Sequence, residues 1–337
     1  MARMTLPQVY ELSLAALRGS GASAQQAAPV ADSIREAEAQ GIRNVGLAYL
    51  PVYCEHLLCG KVDGTAQPQV LEGAPAVLRV DAAHGFCHPA FLLALPRLVA
   101  MTAHNGVAAL AITRSYSAGV VGWFVEKIAV HGMVAMGFAN TSPCIAPWGG
   151  NKPLFGTNPL ALAAPTVEAS IVVDMAASAT ARVNIATAAA RGERVPAGWL
   201  LDAQGVPTTD PQALSAGGTM SPLGGAKGYG LALMIEILAA GLTGANWSYA
   251  ASSFGTNEGG PPGVGQLFIA FAPALTGGVQ LQERLADLTA RIAAQPGARL
   301  PGERRHEASR RTLVDGVEVP EELIASLTVY ARRPQHA

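Results

Sequence analysis

The chain has 337 residues, with 23 lysines and arginines against 24 aspartates and glutamates, a net charge of −1, half its residues hydrophobic and only 14% charged. That length predicts two or three folding units with ample material for a core. The neutral balance excludes a nucleic-acid-binding tract and a polybasic membrane segment, and so little charge predicts surface buried against a second subunit.

The first residues, Met1 to Pro7, have no apolar core of signal-peptide length, which points to a cytoplasmic protein. Apolar residues at helical spacing predict helices over 6–17 and 23–38, separated by the Gly21-Ala22-Ser23 break. A third helix is expected over 46–59, stopped by Gly60. Residues 70–81 read as one or two strands, and 89–103 as a helix broken by Asn105-Gly106. The strand at 107–113 is too short to span a bilayer. A helix over 117–130 and a strand over 133–140 follow. Strands are expected near 159–164 and 171–174, and an alanine-rich helix over 176–191. A short strand and turn follow at 199–205. Residues 226–241 read as a helix apolar on every side, and therefore buried all round. A strand at 266–271 and helices over 279–294 and 320–327 complete the chain. The N-terminal helices (1–70) are expected to pack with the C-terminal ones (276–337), beside a strand-rich region over 71–275.

Cys54, Cys59, Cys87 and Cys144 lack zinc-site spacing and read as reduced, mostly buried thiols. His84 and His88 are four apart, but Gly85 and Pro89 oppose a helix there and no carboxylate follows at ligand spacing. No metal is expected.

Two segments carry chemistry. Pro147-Trp-Gly-Gly-Asn-Lys-Pro-Leu-Phe-Gly-Thr-Asn-Pro159 bends sharply between apolar runs, and places Thr157 and Asn158 where a ligand could approach the main chain. Pro222-Leu-Gly-Gly-Ala-Lys-Gly-Tyr-Gly230 opens a helix whose free amides, with Lys227, suit a phosphate or carboxylate; a tight turn with Lys227 in solvent is the alternative. No clean strand precedes it, so a Rossmann reading is weak.

These two motifs, with Asn140-Thr141-Ser142, Asp174-Met175-Ala176, the tract from Trp199 to Asp210, and Pro301-Gly302-Glu303, resemble the malate/L-lactate/ureidoglycolate dehydrogenase family. The resemblance implies a non-Rossmann α/β (α+β) fold, with a mixed, largely antiparallel sheet in a cofactor domain plus a helical lobe. It implies a homodimeric oxidoreductase that uses NAD or NADP, with NADPH slightly favoured. Cofactor contacts would fall at Gly119, Gly122, Ser142, Asn158, Asp174, Met175, Ala176, Lys227, Gly302, Glu303 and Arg304.

The family's two familiar histidines are missing. Its Ser-His-Gly and following Arg read here as Asn44-Val45-Gly46 and Tyr49, and its Ser-x-His-Phe-Gly reads Ser115-Tyr116-Ser117-Ala118-Gly119. This altered pattern, with Ala179-Thr-Ala-Arg-Val-Asn184 and Leu242-Thr-Gly-Ala-Asn-Trp-Ser248, is similar to the (R)-3-sulfolactate dehydrogenase branch. Reducing a 2-oxo acid needs a proton donor and a cation for the carboxylate. Tyr116 and Ser117 are the residues expected at the reaction centre. Tyr49 is the reserve acid, and a lysine that lowered the pKa of Tyr116 or Tyr49 would help. Arg43, Arg114 or Arg182 could hold the acid, with Asn44 and Thr157 nearby; a surface ion pair is the alternative for each arginine. Two other readings stand. A cyclic ketimine substrate of the Δ1-piperideine-2-carboxylate or Δ1-pyrroline-2-carboxylate type arrives protonated and needs no strong acid. A catalytically impaired homologue would bind cofactor only.

Overall fold

The computed structural model describes residues 1–334 except 168, 278 and 279; the side chain at 72 is also outside the description. In chain order the elements are β1 (Ala2–Met4), α1 (Leu6–Gly19), α2 (Ala24–Ala39), 3-10 turns at Arg43–Val45 and Leu47–Tyr49, and α3 (Leu50–Leu58). Then come β2 (Gln69–Ala74), β3 (Val77–Asp81), α4 (Cys87–Asn105), β4 (Val107–Ser115), α5 (Val121–Ala129), β5 (Val134–Ala139), β6 (Leu160–Ala164) and β7 (Ile171–Met175). α6 (Arg182–Arg191) precedes three two-residue strands, β8 (Leu200–Leu201), β9 (Pro207–Thr208) and β10 (Thr219–Met220). The chain ends with α7 (Ala226–Glu236), β11 (Val264–Phe271), α8 (Pro273–Thr276), α9 (Leu281–Ala293), α10 (Glu303–Asp315), β12 (Val317–Val319) and α11 (Glu321–Ala331).

The main sheet runs β2-β3-β4-β11-β5-β6-β7. Only β3 and β4 are parallel; the other neighbours are antiparallel. This is the expected mixed, largely antiparallel sheet, and it lacks the repeated parallel crossovers of a Rossmann fold. On one face, α4 and α5 pack Phe91, Phe124 and Phe268 into a buried cluster. Each such side chain contributes about 1.5–3 kcal/mol by leaving water. The other face is covered by Ile145, Phe155, Ala232 and Ile235 from the mid-chain bend and α7. A third cluster joins α1, α2, α3 and α11 and takes in Phe86 and Tyr116. β1 pairs with β12 and ties the chain's two ends together.

Local chemistry sets the boundaries. Thr5 and Gln8 form a capping box that starts α1, and Ser23 caps α2. Gly106, left-handed, closes α4. Three expected helices are shorter than read. Leu47–Tyr49 form a 3-10 turn after Gly46 and α3 starts only at Leu50, with Pro51 in its first turn. Residues 117–120 are loop, and so are 176–181, where Ala177 and Ala179 instead bond to Thr157 and Ser221. The expected start of a helix at Val279 lies outside the described residues. α10 was not read at all, because its Arg- and Glu-rich sequence shows no apolar stripe.

The helix from 226 is not buried all round. Its α-helical part ends at Glu236 and a π turn continues over Ile237–Gly241. Met234 is 60% exposed, Ile237 47% and Leu242 65%. No described helix is long and apolar enough to cross a membrane. Among the described residues, no three of His, Cys, Asp and Glu gather as a metal would need. The four cysteines are free, and only Cys59 is exposed.

Candidate active site

Two neighbouring regions gather most of the residues singled out by motif. The first is a corner where α3, the 115–120 loop, the start of α6 and the 252–258 segment meet. Tyr49 lies half-buried, edge-on to the buried Tyr53 at 5.0 Å between ring centroids. Burial pushes the Tyr49 phenol up to about 12, while the nearby Arg182 guanidinium holds it down. Arg182 is the first residue of α6 and takes part in no ion pair among the described residues. A Cβ added at Gly255 would stand 3.6 Å from its Nη2. Ser117 Oγ accepts from the Gly119 amide at 3.2 Å and shares a side-chain hydrogen bond with Tyr53.

Tyr116 is withdrawn into the core beside this corner. It is fully buried, with rings of Tyr53, Phe86 and Phe254 edge-on around it. Its hydroxyl bonds His56 Nδ1. His56 Nε2 lies 3.1 Å from the Thr256 carbonyl, which can only accept, so Nε2 carries the proton and Nδ1 accepts from Tyr116. Burial raises the Tyr116 pKa well above the ordinary value, and the neighbouring tyrosines push it the same way. No lysine lowers it. The expectation that Tyr116 acts as the acid is therefore corrected: its proton is committed to His56 in the core.

Of the other two candidate arginines, Arg114 is engaged elsewhere and Arg43 points to solvent. Arg114 grips Asp81 with two guanidinium nitrogens, Nε at 3.0 Å, and that bond is the leading cause that raises its own pKa. Arg43 and Asn44 are exposed on their turn, and the Arg43 charge counters the buried Glu38. Thr157 bonds Thr141 through its amide at 2.9 Å and its hydroxyl at 3.3 Å.

The second region is the outer edge of β7. Asp174 Oδ2 accepts from the Gly122 amide at the start of α5 (3.1 Å) and from Arg305 Nη1 (3.2 Å). Burial raises the Asp174 pKa against the pull of Arg305. Gly302 caps α10 at φ +87° and lies so close to β7 that an added Cβ would stand 3.1 Å from the Val172 carbonyl. Past Met175 and Ala176, Ala177 accepts from the Leu223 amide at 2.8 Å, which brings the strand to the mouth of α7. No side chain caps that helix, and Lys227 in its first turn is exposed and in no ion pair among the described residues. A Cβ at Gly224 meets nothing within 4 Å, so the main chain there is open to a ligand. Gly228, by contrast, is a packing glycine: its Cβ would stand 1.7 Å from the Leu223 carbonyl.

Several motif residues serve the scaffold instead. Asn158 is fully buried, with φ +39°, and its Nδ2 donates to Glu236 (2.7 Å) and to the Ala232 carbonyl (3.0 Å). It locks the bend to α7. Ser142 is buried and its Oγ accepts from the Phe254 amide at 3.4 Å. Glu303 and Arg304 are exposed; Glu303 accepts from the Leu300 amide at 3.3 Å. Arg305, one position further, is the residue that faces Asp174. The helical period of α10 would have pointed to it, had that helix been read.

With this geometry in hand, known proteins bear on it. Residues 4–328 match the family model described as malate/L-lactate dehydrogenase. A (2R)-3-sulfolactate dehydrogenase (NADP(+)) from Chromohalobacter salexigens is 43% identical over 98% of this chain and 99% of its own. A Δ1-pyrroline-2-carboxylate reductase from Ancylobacter novellus is 39% identical over 98% of each. The crystal structure of a Δ1-piperideine-2-carboxylate reductase from Pseudomonas syringae pv. tomato superposes with a TM-score of 0.93 at 35% identity, covering 98% of this chain and 100% of that one. The chain belongs to the malate/L-lactate dehydrogenase family of oxidoreductases.

Proposed function

We propose that the protein interconverts a small 2-hydroxy acid and its 2-oxo acid with NAD or NADP, NADPH being favoured, and that (R)-3-sulfolactate and sulfopyruvate are its first substrates to try. The observation that carries this reading is Arg182: a guanidinium in no ion pair among the described residues, beside a phenol, at the start of a helix. A planar guanidinium binds a carboxylate or sulfonate through two bonds. Tyr49, still protonated at neutral pH, donates to the developing alkoxide, and Ser117 orients the same oxygen. When bound, the dinucleotide supplies the hydride. The β7 edge fits it: Lys227 and the uncapped amides of α7 suit its phosphates, and Asp174, Met175, Ala176 and Gly302 line the rest. The sulfolactate relative supports both this substrate class and NADP.

A second reading rests on an equally specific observation. A Tyr49 pKa near 12 is high for an acid, and Tyr116 is withdrawn into the core. An iminium needs no donor, and reductases of cyclic imines are among the relatives. The test is NADPH oxidation with sulfopyruvate, pyruvate, Δ1-pyrroline-2-carboxylate and Δ1-piperideine-2-carboxylate. Sulfopyruvate turnover well above that of the imines supports the first reading; the reverse order supports the second. NADPH binding without turnover of any supports a cofactor-binding homologue. We also propose a cytoplasmic homodimer that covers the exposed Met234, Ile237 and Leu242 face; a monomer by sedimentation equilibrium would overturn it.

A further inference from the structure

The 252–258 segment stands beside Arg182 and is held from below by groups with no part in the proposed chemistry. Lys61, in the loop after α3, is buried and takes part in no ion pair among the described residues. Its Nζ donates to three main-chain carbonyls of that one segment: Ser253 at 2.5 Å, Thr256 at 2.8 Å and Glu258 at 2.7 Å. A buried ammonium is costly unless each of its three protons finds an acceptor. The charge therefore requires those carbonyls to converge, and so dictates the path of a segment 192 positions away. His56, bonded to the Thr256 carbonyl and to Tyr116, adds a second tie. The upper side of the segment meets the corner. The Phe254 amide donates to Ser142, and Gly255 lies against Arg182.

We propose that Lys61 is a positioning residue: together with His56 it fixes the main chain at 253–258, and through Gly255 the pose in which Arg182 receives the acid. The inference rests on the reading of Arg182 given above. Bending the segment would displace the guanidinium but leave the β7 edge untouched.

The test is Lys61→Met, which keeps the length of the side chain and removes its donors, with His56→Gln as a milder second variant. KM for whichever acid or imine the wild type turns over should rise about 10-fold or more, as expected when charge-assisted bonds are lost. The NADPH Kd by fluorescence titration should stay within about twofold, and amide exchange at 253–258 should speed up while the sheet is unchanged. In an Arg182→Met background, Lys61→Met should add little further to KM. A parallel rise in the NADPH Kd, full additivity with Arg182→Met, or unaltered exchange at 253–258 in both Lys61→Met and His56→Gln would overturn the proposal. The exchange arm decides it independently of substrate: if wild type turns over nothing in the panel, the reading of Arg182 fails, while unaltered exchange removes the pin itself.

Discussion

At the β7 edge, every contact uses the main chain of elements that pack closely: the Gly122 amide on Asp174, Gly302 against the Val172 main chain, the Leu223 amide on the Ala177 carbonyl. At the Tyr49–Arg182 corner, side chains from three distant segments (Tyr49, Ser117 and Arg182) meet the main chain of a fourth at Gly255. The first arrangement demands glycines and a fixed path, so substitution there is restricted by geometry. The second can exchange one side chain for another, histidine for serine included, without disturbing the fold. Under the proposed reading, a family can thus keep one coenzyme edge while the acid-binding corner changes its chemistry.

The largest expected effect lies in the corner. Arg182→Met should lower kcat/KM for the 2-oxo acid roughly 10²-fold or more, about 3 kcal/mol, with the NADPH Kd nearly unchanged. An equal loss of NADPH affinity would erase the distinction between the two regions. Tyr49→Phe sharpens it: reduction of an oxo acid should slow roughly 10²-fold and that of a cyclic imine less than about threefold, as general acid catalysis requires. Equal losses on both would mean that Tyr49 serves packing. Tyr116→Phe should instead cost about 1–3 kcal/mol of stability in denaturant melts, since His56 Nδ1 loses its donor in the core, and leave kcat close to wild type. A kcat loss as large as that of Tyr49→Phe would return Tyr116 to the reaction centre.

The core beside α5 responds to acid. His88, buried between Trp123 and Phe124, has its pKa pushed down to about 3 by burial, whereas the unfolded value is 6.5. The unfolded chain binds this proton first, so its contribution to stability is full above pH 6.5 and is lost as the pH falls toward 3. Burial lowers His56 as well, with the same sign. His88→Phe should remove about 1.4 kcal/mol per pH unit from the acid slope of unfolding free energy inside that window; an unchanged slope would show that His88 is not neutral in the fold. The smallest effect belongs to Lys227→Met, which should weaken NADPH roughly three- to tenfold, with less loss in high salt. No change at all would leave Lys227 a solvated side chain.

Much of the architecture was legible because its signals are local. Period 3.6 marked α1, α2 and α4; apolar runs marked β4, β5 and β11; Gly106 and Ser23 marked boundaries. α10 was missed because it is polar on most sides and owes its place to Arg305 reaching Asp174 in β7 and His306 reaching the Ser170 carbonyl just before it. The apolar stretch from 226 read as buried because composition records how apolar a helix is, not whether a neighbour covers it; Met234 and Ile237 lie on its uncovered side. Of the candidate site residues, Gly122, Asp174 and Gly302 were named from the resemblance, and all three meet at the β7 edge, where the backbones come close enough to require glycine at 302. Lys61, His56 and Tyr53 left no signal, since an isolated lysine, histidine or tyrosine looks alike on a surface and in a core.

From the chain alone came the family, the non-Rossmann sheet and the loss of both histidines, all of them facts of residue order. Which arginine pairs with Asp81, which stands beside Tyr49, which tyrosine is withdrawn and which lysine is buried were decided only in three dimensions. Desolvation and hydrogen-bond pairing depend on what surrounds a side chain, and those neighbours are contributed by segments far apart in sequence.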